Sequence, residues 1–168
     1  GLAARQAMAL GTAGFSAALA IHRLESNGQT AEMGPVVVTG ASGAVGSYAV
    51  ALLAGRGFRV LAVTSRPAHT DYLHALGATD VTTPAGLALG PRPLESGRFG
   101  AAIDNIGGDM LGALVRHIRP RGAVVAVGNA AGTDVRTTVY PFILRGVSVL
   151  GLSATHCPMD LRCALWAR

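Results

Sequence analysis

The chain has 168 residues, half of them hydrophobic and 14% charged, with 23 glycines; this describes one domain with a sizeable core and excludes a disordered segment. All fourteen basic residues are arginine, which excludes a Walker A lysine, a Schiff-base lysine and the Tyr-x-x-x-Lys pair of short-chain dehydrogenases. The net charge of +5 invites a nucleic-acid partner, but the arginines stand singly and aromatics make up only 5%, so the clustered basic groove with stacking rings that such binding needs is missing.

In chain order, residues 2–10 read as a short Ala-rich helix. Gly11 breaks it, and Thr12 can cap a second helix that runs through Phe15, Leu19 and Ile21 to Leu24 and ends at Asn27-Gly28. Strand one spans 35–39, its unbroken valines suited to burial on both faces, as in a parallel sheet. A helix follows over 43–55, small at Ala44, Gly46, Ser47 and Ala49, which lets it pack close to a sheet. Strand two spans 59–64, a helix 67–76 with Gly77 as its cap, and a short strand three 80–82. Residues 83–97, rich in Pro and Gly, carry only a weak helical signal. Strand four spans 99–105 and a helix 110–118, apolar at Leu111, Leu114, Val115 and Ile118. Pro120-Arg121-Gly122 turns into strand five, 123–128. A polar loop covers 129–140, a short turn or helix 141–145, strand six 147–150 and a last helix 158–166. Strands and helices alternate, which predicts a doubly wound parallel α/β sheet of Rossmann order 3-2-1-4-5-6. The expected layout is a single domain over 1–168, with a helical lead-in (1–34), a six-strand core (35–152) and a truncated C-terminal helix (153–168).

Cys157 and Cys163 are the only cysteines, as expected for a reducing cytoplasm with no disulfide framework. His156 adjoins Cys157, but a zinc site wants three or four ligands at set spacings, and no metal is expected. No stretch of roughly 20 apolar residues runs uninterrupted, so no membrane span is predicted, and 7–20 lacks the charged lead of a signal peptide. The first residue is Gly1, not Met; the expectation is a processed chain or a piece of a longer one.

The centre of the sequence is Val36-Val37-Val38-Thr39-Gly40-Ala41-Ser42-Gly43-Ala44-Val45-Gly46. A strand, a glycine turn and a helix start in succession let backbone approach a phosphate, with free N–H groups pointing at it. Ser42, Gly43, Ala44 and Val45 are the expected pyrophosphate contacts. An NAD site carries an acidic residue at the end of strand two, on the ribose 2′-hydroxyl. Here that place holds Thr64, Ser65 and Arg66 with no carboxylate, so hydroxyls and a guanidinium suit a 2′-phosphate, and NADP(H) is the expected cofactor. The nicotinamide belongs at the carboxyl ends of strands four to six, where Asn105, Gly128, Asn129 and Leu150 are candidates; Gly128 also reads as a strand-ending turn, and Asp104 and Asn105 as local turn residues. No catalytic acid or base emerges. Tyr48, Tyr72 and Tyr140 have Leu52, Leu76 and Leu144 four residues on, and His22, His69, His74 and His117 fall on helices or their starts.

Gly11-Thr12-Ala13-Gly14-Phe15-Ser16-Ala17 and the glycine turn resemble the coenzyme domain of medium-chain dehydrogenases/reductases. So do Ala75-Leu76-Gly77-Ala78, Ala102-Ile103-Asp104, Gly122-Ala123-Val124-Val125-Ala126-Val127-Gly128 and Pro141-Phe142-Ile143-Leu144-Arg145-Gly146-Val147. Together they are similar to the zinc-independent quinone oxidoreductase branch, and within it to acrylyl-CoA reductases. The resemblance covers nearly the whole chain. It implies an NADPH-dependent reductase acting on a short enoyl-CoA or a quinone, with Thr12 reaching the nicotinamide pocket. It also implies a barrel-like catalytic domain outside this chain, and a homodimer paired through strand six. Two other readings stay open: a non-catalytic NADPH-binding module, and an atypical extended short-chain dehydrogenase, whose glycine spacing Gly40-x-x-Gly43-x-x-Gly46 also fits.

Overall fold

The computed structural model describes residues 3–167; Leu2, the expected start of the first helix, lies outside the described residues with Gly1 and Arg168. Helix α1 (Ala4–Ser26) contains the Gly11 break as a residue at φ 43° and ψ −152°, and only the part beyond it buries side chains, among them Phe15, Leu19, Ile21 and Leu24. Then come β1 (Val36–Thr39), α2 (Ala44–Ala54), β2 (Val60–Val63), α3 (Thr70–Ala75), β3 (Asp80–Thr82), β4 (Phe99–Asp104), α4 (Gly108–Arg116), β5 (Ile118–Ala126), α5 (Tyr140–Arg145), β6 (Ser148–Gly151) and α6 (Met159–Trp166).

All pairings are parallel and the sheet order is β3-β2-β1-β4-β5-β6, the doubly wound Rossmann arrangement expected from the alternation of strands and helices. The continuous apolar runs are explained by two buried faces. Val36, Val38, Ala101 and Ile103 point into one core with Ile21, Leu24, Val50 and Leu53 of α1 and α2. Val37, Ala102 and Val124 point into the other, with Leu111, Leu114 and Val115 of α4. A fully buried side chain such as Ile103 contributes about 1.5–3 kcal/mol. Because the two halves send helices to opposite faces, the β1–β4 junction is the switch point, and the strand ends there leave a crevice.

Some details differ from the sequence expectation. The helix expected over 110–118 is shifted to Gly108–Arg116, and β5 starts at Ile118, so the Pro120-Arg121-Gly122 turn sits inside a strand instead of before it. The register shows why: Phe99 pairs with Ile118 but Ala101 pairs with Ala123, so β5 carries an extra loop at that point. Arg121 takes φ +62° there, and its carbonyl accepts a 3.0 Å bond from Gln29 Nε2. The last helix follows its expected position, while the helix expected over 67–76 is a 3-10 turn over Pro67–His69 followed by α-helix only over Thr70–Ala75.

Candidate functional site

The carboxyl ends of β1, β2, β4 and β5 open into a cleft of about 620 Å3. Its floor is the glycine turn. Gly40 takes φ +57° and turns the chain sharply out of β1. Gly43 stands at the N-cap of α2, its N–H bonded to Gly40 O at 2.9 Å. Gly46 is required by space: a Cβ there would lie 2.3 Å from Gly40 O and 2.7 Å from Ala41 Cα. The helix thus starts almost in contact with the strand it follows. The N–H groups of Ala44, Val45 and Gly46 bond to no acceptor among the described residues, and no side chain caps the helix. They form the positive end of the helix, equivalent to roughly half a unit charge, an anion-binding arrangement.

One wall comes from the end of β2. Thr64 is buried, and its hydroxyl lies 2.8 Å from Ser42 Oγ, joining the glycine turn to β2. Thr64 Oγ1 also accepts from Arg66 N at 3.1 Å, which turns the chain so that Ser65 and Arg66 line the cleft. The Arg66 side chain is exposed and makes no hydrogen bond or ion pair with the described residues. An unpaired guanidinium and a row of free N–H groups therefore mark two anion positions, with the Ser42–Thr64 bridge between the loops that carry them.

The opposite wall is the switch point, organised by a fully buried carboxyl group. Asp104 Oδ1 accepts from Thr39 Oγ1 at 2.6 Å, and Oδ2 accepts from Gly107 N at 2.8 Å. A longer bond of 3.4 Å comes from Ile106 N. Burial pushes the Asp104 carboxyl above the ordinary aspartate range, and these three donors oppose that rise. Every partner is a donor, so the anion is the form the surroundings accommodate. Thr39 Oγ1 accepts in turn from Asn105 N at 3.0 Å, and Asn105 Nδ2 donates to Thr39 O at 2.8 Å. Asp104 O receives Val127 N at 2.8 Å and Gly128 N at 3.2 Å. Gly128 packs against Asn105, since a Cβ there would lie 2.5 Å from Asn105 O.

Of the candidate residues, Ser42, Gly43, Ala44, Val45, Thr64, Ser65, Arg66, Asn105 and Gly128 line this one cleft. Asn129 does not; it is exposed and its carbonyl accepts from Gly132 N. Leu150 packs half-buried on the sheet core from β6. Thr12 lines a separate, smaller concavity. The cleft also takes Pro84, Ile106 and Met110, which the sequence reading leaves out. Met110 reads only as the first residue of the 110–118 helix, outside its apolar face, and Pro84 lies in the stretch whose helical signal is weak. Among the described residues no three His, Cys, Asp or Glu side chains gather into a metal-binding group.

A Rossmann sheet with a glycine turn aimed into a crevice at its switch point defines a nucleotide-binding dehydrogenase domain. The chain belongs to the zinc-binding dehydrogenase family, whose model matches residues 44–167. It is 46% identical to the acrylyl-CoA reductase AcuI of Ruegeria pomeroyi, over 100% of this chain and 51% of that protein. The crystal structure of the yhdH oxidoreductase from Salmonella enterica in complex with NADP is 43% identical, with a TM-score of 0.95, over 99% of this chain and 51% of that one. Bacillus subtilis yhfP, solved with NAD bound, is 46% identical with a TM-score of 0.95, over the same shares. The chain spans about half the length of the relatives it matches.

Proposed function

We propose that this chain is the cofactor-binding half of a zinc-independent, NADPH-dependent reductase that passes a hydride to the C=C bond of a short enoyl-CoA such as acrylyl-CoA, with a quinone as the alternative acceptor. The observation that carries the reading is the unpaired Arg66 beside the Ser42–Thr64 bridge, at one end of a glycine cradle whose N–H groups are free. Likeness to AcuI and to the NADP-bound yhdH supports it. So does the cleft itself, whose unpaired N–H donors at the start of α2 fit a pyrophosphate.

The dihydronicotinamide, when bound, supplies the hydride. The protein's residues bind and orient. The N–H groups of Ala44, Val45 and Gly46 hold the pyrophosphate, with Ser42 and Gly43 shaping the approach. Thr64, Ser65 and Arg66 hold the 2′-phosphate. Asn105 and Gly128, set by Asp104, flank the nicotinamide side, to which Asn129, Leu150 and Thr12 are also assigned. The lead-in (1–34), the core (35–152) and the C-terminal segment (153–168), which carries α6, together make the one domain of this reading. We place the protein in the cytoplasm; no helix among the described residues is long and apolar enough to cross a membrane. A homodimer paired along β6 completes the reading, supported by Val149 at 43% exposure on that edge strand and Ile143 at 69% on α5.

Because one relative is solved with NAD and another with NADP, cofactor choice is the sharp test. Arg66→Ala is expected to weaken NADPH by about 10- to 100-fold, the worth of a charge-assisted hydrogen bond, and to leave NADH nearly unchanged. Fluorescence titration with both nucleotides reads this, and equal loss for the two would sink the assignment. Oxidation of NADPH by acrylyl-CoA, followed with the complete natural protein, tests the reaction. Cofactor binding without turnover of any enoyl-CoA or quinone would instead favour a non-catalytic module.

A further inference from the structure

A second concavity, of about 350 Å3, opens between two remote segments. One is the start of the buried part of α1, with Gly11, Thr12 and Phe15. The other follows β6, with Thr155, Arg162 and Trp166. β6 runs parallel to β5 and β4, so the chain leaving Gly151 emerges at the sheet edge where Asn105 and Gly128 line the first cleft. Both hollows therefore sit at the carboxyl edge, the second toward the β6 end.

Arg162 is held in place here. Its guanidinium lies 4.4 Å from the Phe15 ring centroid, and its Nη2 donates to Ala154 O. Phe15 in turn stacks on Trp166, with centroids 6.0 Å apart and planes at 15°. A guanidinium held over a ring and bonded to a backbone carbonyl is already ordered, so it loses little freedom when it takes a ligand. Its remaining N–H groups, and the hydroxyls of Thr12 and Thr155, have no partner among the described residues. Among the described residues no carboxylate lines the hollow. The wall thus offers a fixed positive charge and spare donors with no competing anion.

We propose that this hollow is an oxyanion subsite for an acyl-thioester substrate, in which Arg162, with Thr155, takes a negatively charged oxygen. The proposal rests on the enoyl-CoA reading. Two oxygens of such a substrate have the right chemistry: a phosphate of the CoA portion, or the thioester oxygen as it gains charge. In the second case the hydride brings its electron pair to the β-carbon, the C=C pair becomes the double bond between the α-carbon and the carbonyl carbon, and the C=O pair moves onto oxygen. That charge persists until the α-carbon takes a proton from water, which restores the carbonyl.

The complete natural protein is assayed with acrylyl-CoA and with acrylyl-pantetheine, which lacks phosphate, as wild type and as Arg162→Gln. A rise of about tenfold in KM for acrylyl-CoA alone supports the phosphate; a fall of about tenfold in kcat for both thioesters supports the thioester oxygen. NADPH affinity is expected to stay unchanged in either case. Unaltered constants for both thioesters overturn the proposal, as does weakened NADPH binding, which would assign the hollow to the cofactor. If Arg162→Gln does not fold, Arg162→Lys and Thr155→Val read the same constants with smaller changes. If the wild type turns over neither thioester, the enoyl-CoA reading fails by itself. Titration with coenzyme A then decides the subsite: a Kd about tenfold weaker in Arg162→Gln supports it, and an equal Kd or no wild-type binding overturns it.

Discussion

The centre of this sheet and its outer edge are built on opposite terms. At the centre, β1 and β4 are buried along their whole length, and the polar groups at their carboxyl ends pair with one another through Thr39, Asp104 and Asn105. Backbones approach so closely that Gly46 and Gly128 have no room for a Cβ. At the edge, β6 alternates half-buried and exposed residues, and α5 with its N-cap residue leaves Val139, Ile143 and Leu144 more than 60% exposed. Space dictates residue identity at the centre; at the edge only the apolar character of the surface does. A substitution should therefore be costly at the centre through clash or lost pairing, and at the edge cheap for the fold and expensive only for association.

The largest effect is expected at Gly46. In Gly46→Val the new side chain meets backbone on both sides, Gly40 O and Ala41 Cα, and neither can move without pulling β1 away from β2. Overpacking of this kind costs about 3 kcal/mol, which lowers Tm by roughly 6–12 °C in a chain of this length. Cofactor binding should be lost in the fraction that folds, because the α2 N-terminus is displaced. A melting curve paired with an NADPH titration checks both; normal affinity would show that the cradle tolerates the shift.

The next effect is at the Thr39–Asp104 pair. Thr39→Val keeps the shape and deletes a hydroxyl that donates to Asp104 and accepts from Asn105 N, leaving two buried groups without that partner at a cost of about 1–3 kcal/mol. Thr39→Ser keeps the hydroxyl and should recover most of it. Asp104→Asn is expected to match Thr39→Val, because three donors face a carboxamide that brings donors of its own. Urea denaturation of the three variants orders them, and a double variant less destabilised than the sum of the singles would identify a single coupled unit.

How much of this was legible follows the same division. The valines of β1 and the 3.6-residue spacing of α4 announce buried strand and amphipathic helix, and the three glycines from Gly40 to Gly46 announce a tight turn before a helix. Those signals are local, and so is the bonding of Asp104 to the N–H groups of Ile106 and Gly107. The Thr39–Asp104 bond is not local: it spans 65 positions, and it exists only because the strand order reverses between β1 and β4. The loop inside β5 was misplaced for a related reason, since Pro120 and Gly122 mark a turn but say nothing of the pairing that resumes strand on both sides of it. Pro84 and Met110 reach the cleft through tertiary placement alone.

The smallest effect on the fold is expected at the edge, where it separates folding from assembly. Val149 stands 43% exposed on β6, so Val149→Lys removes little buried area and should change stability by no more than about 0.5 kcal/mol. If the sheet continues across two chains at β6, the same substitution places two like charges near the joining edge, where a strand with free N–H and C=O groups otherwise recruits its partner. Sedimentation should then shift from dimer to monomer with Tm nearly unchanged. Ile143→Asp on α5 should act in the same direction if the apolar helix face belongs to the same interface. A wild type that sediments as a monomer would remove the dimer from the account and leave the exposed apolar edge to a different partner, while a variant that stays dimeric would move the interface elsewhere on the surface.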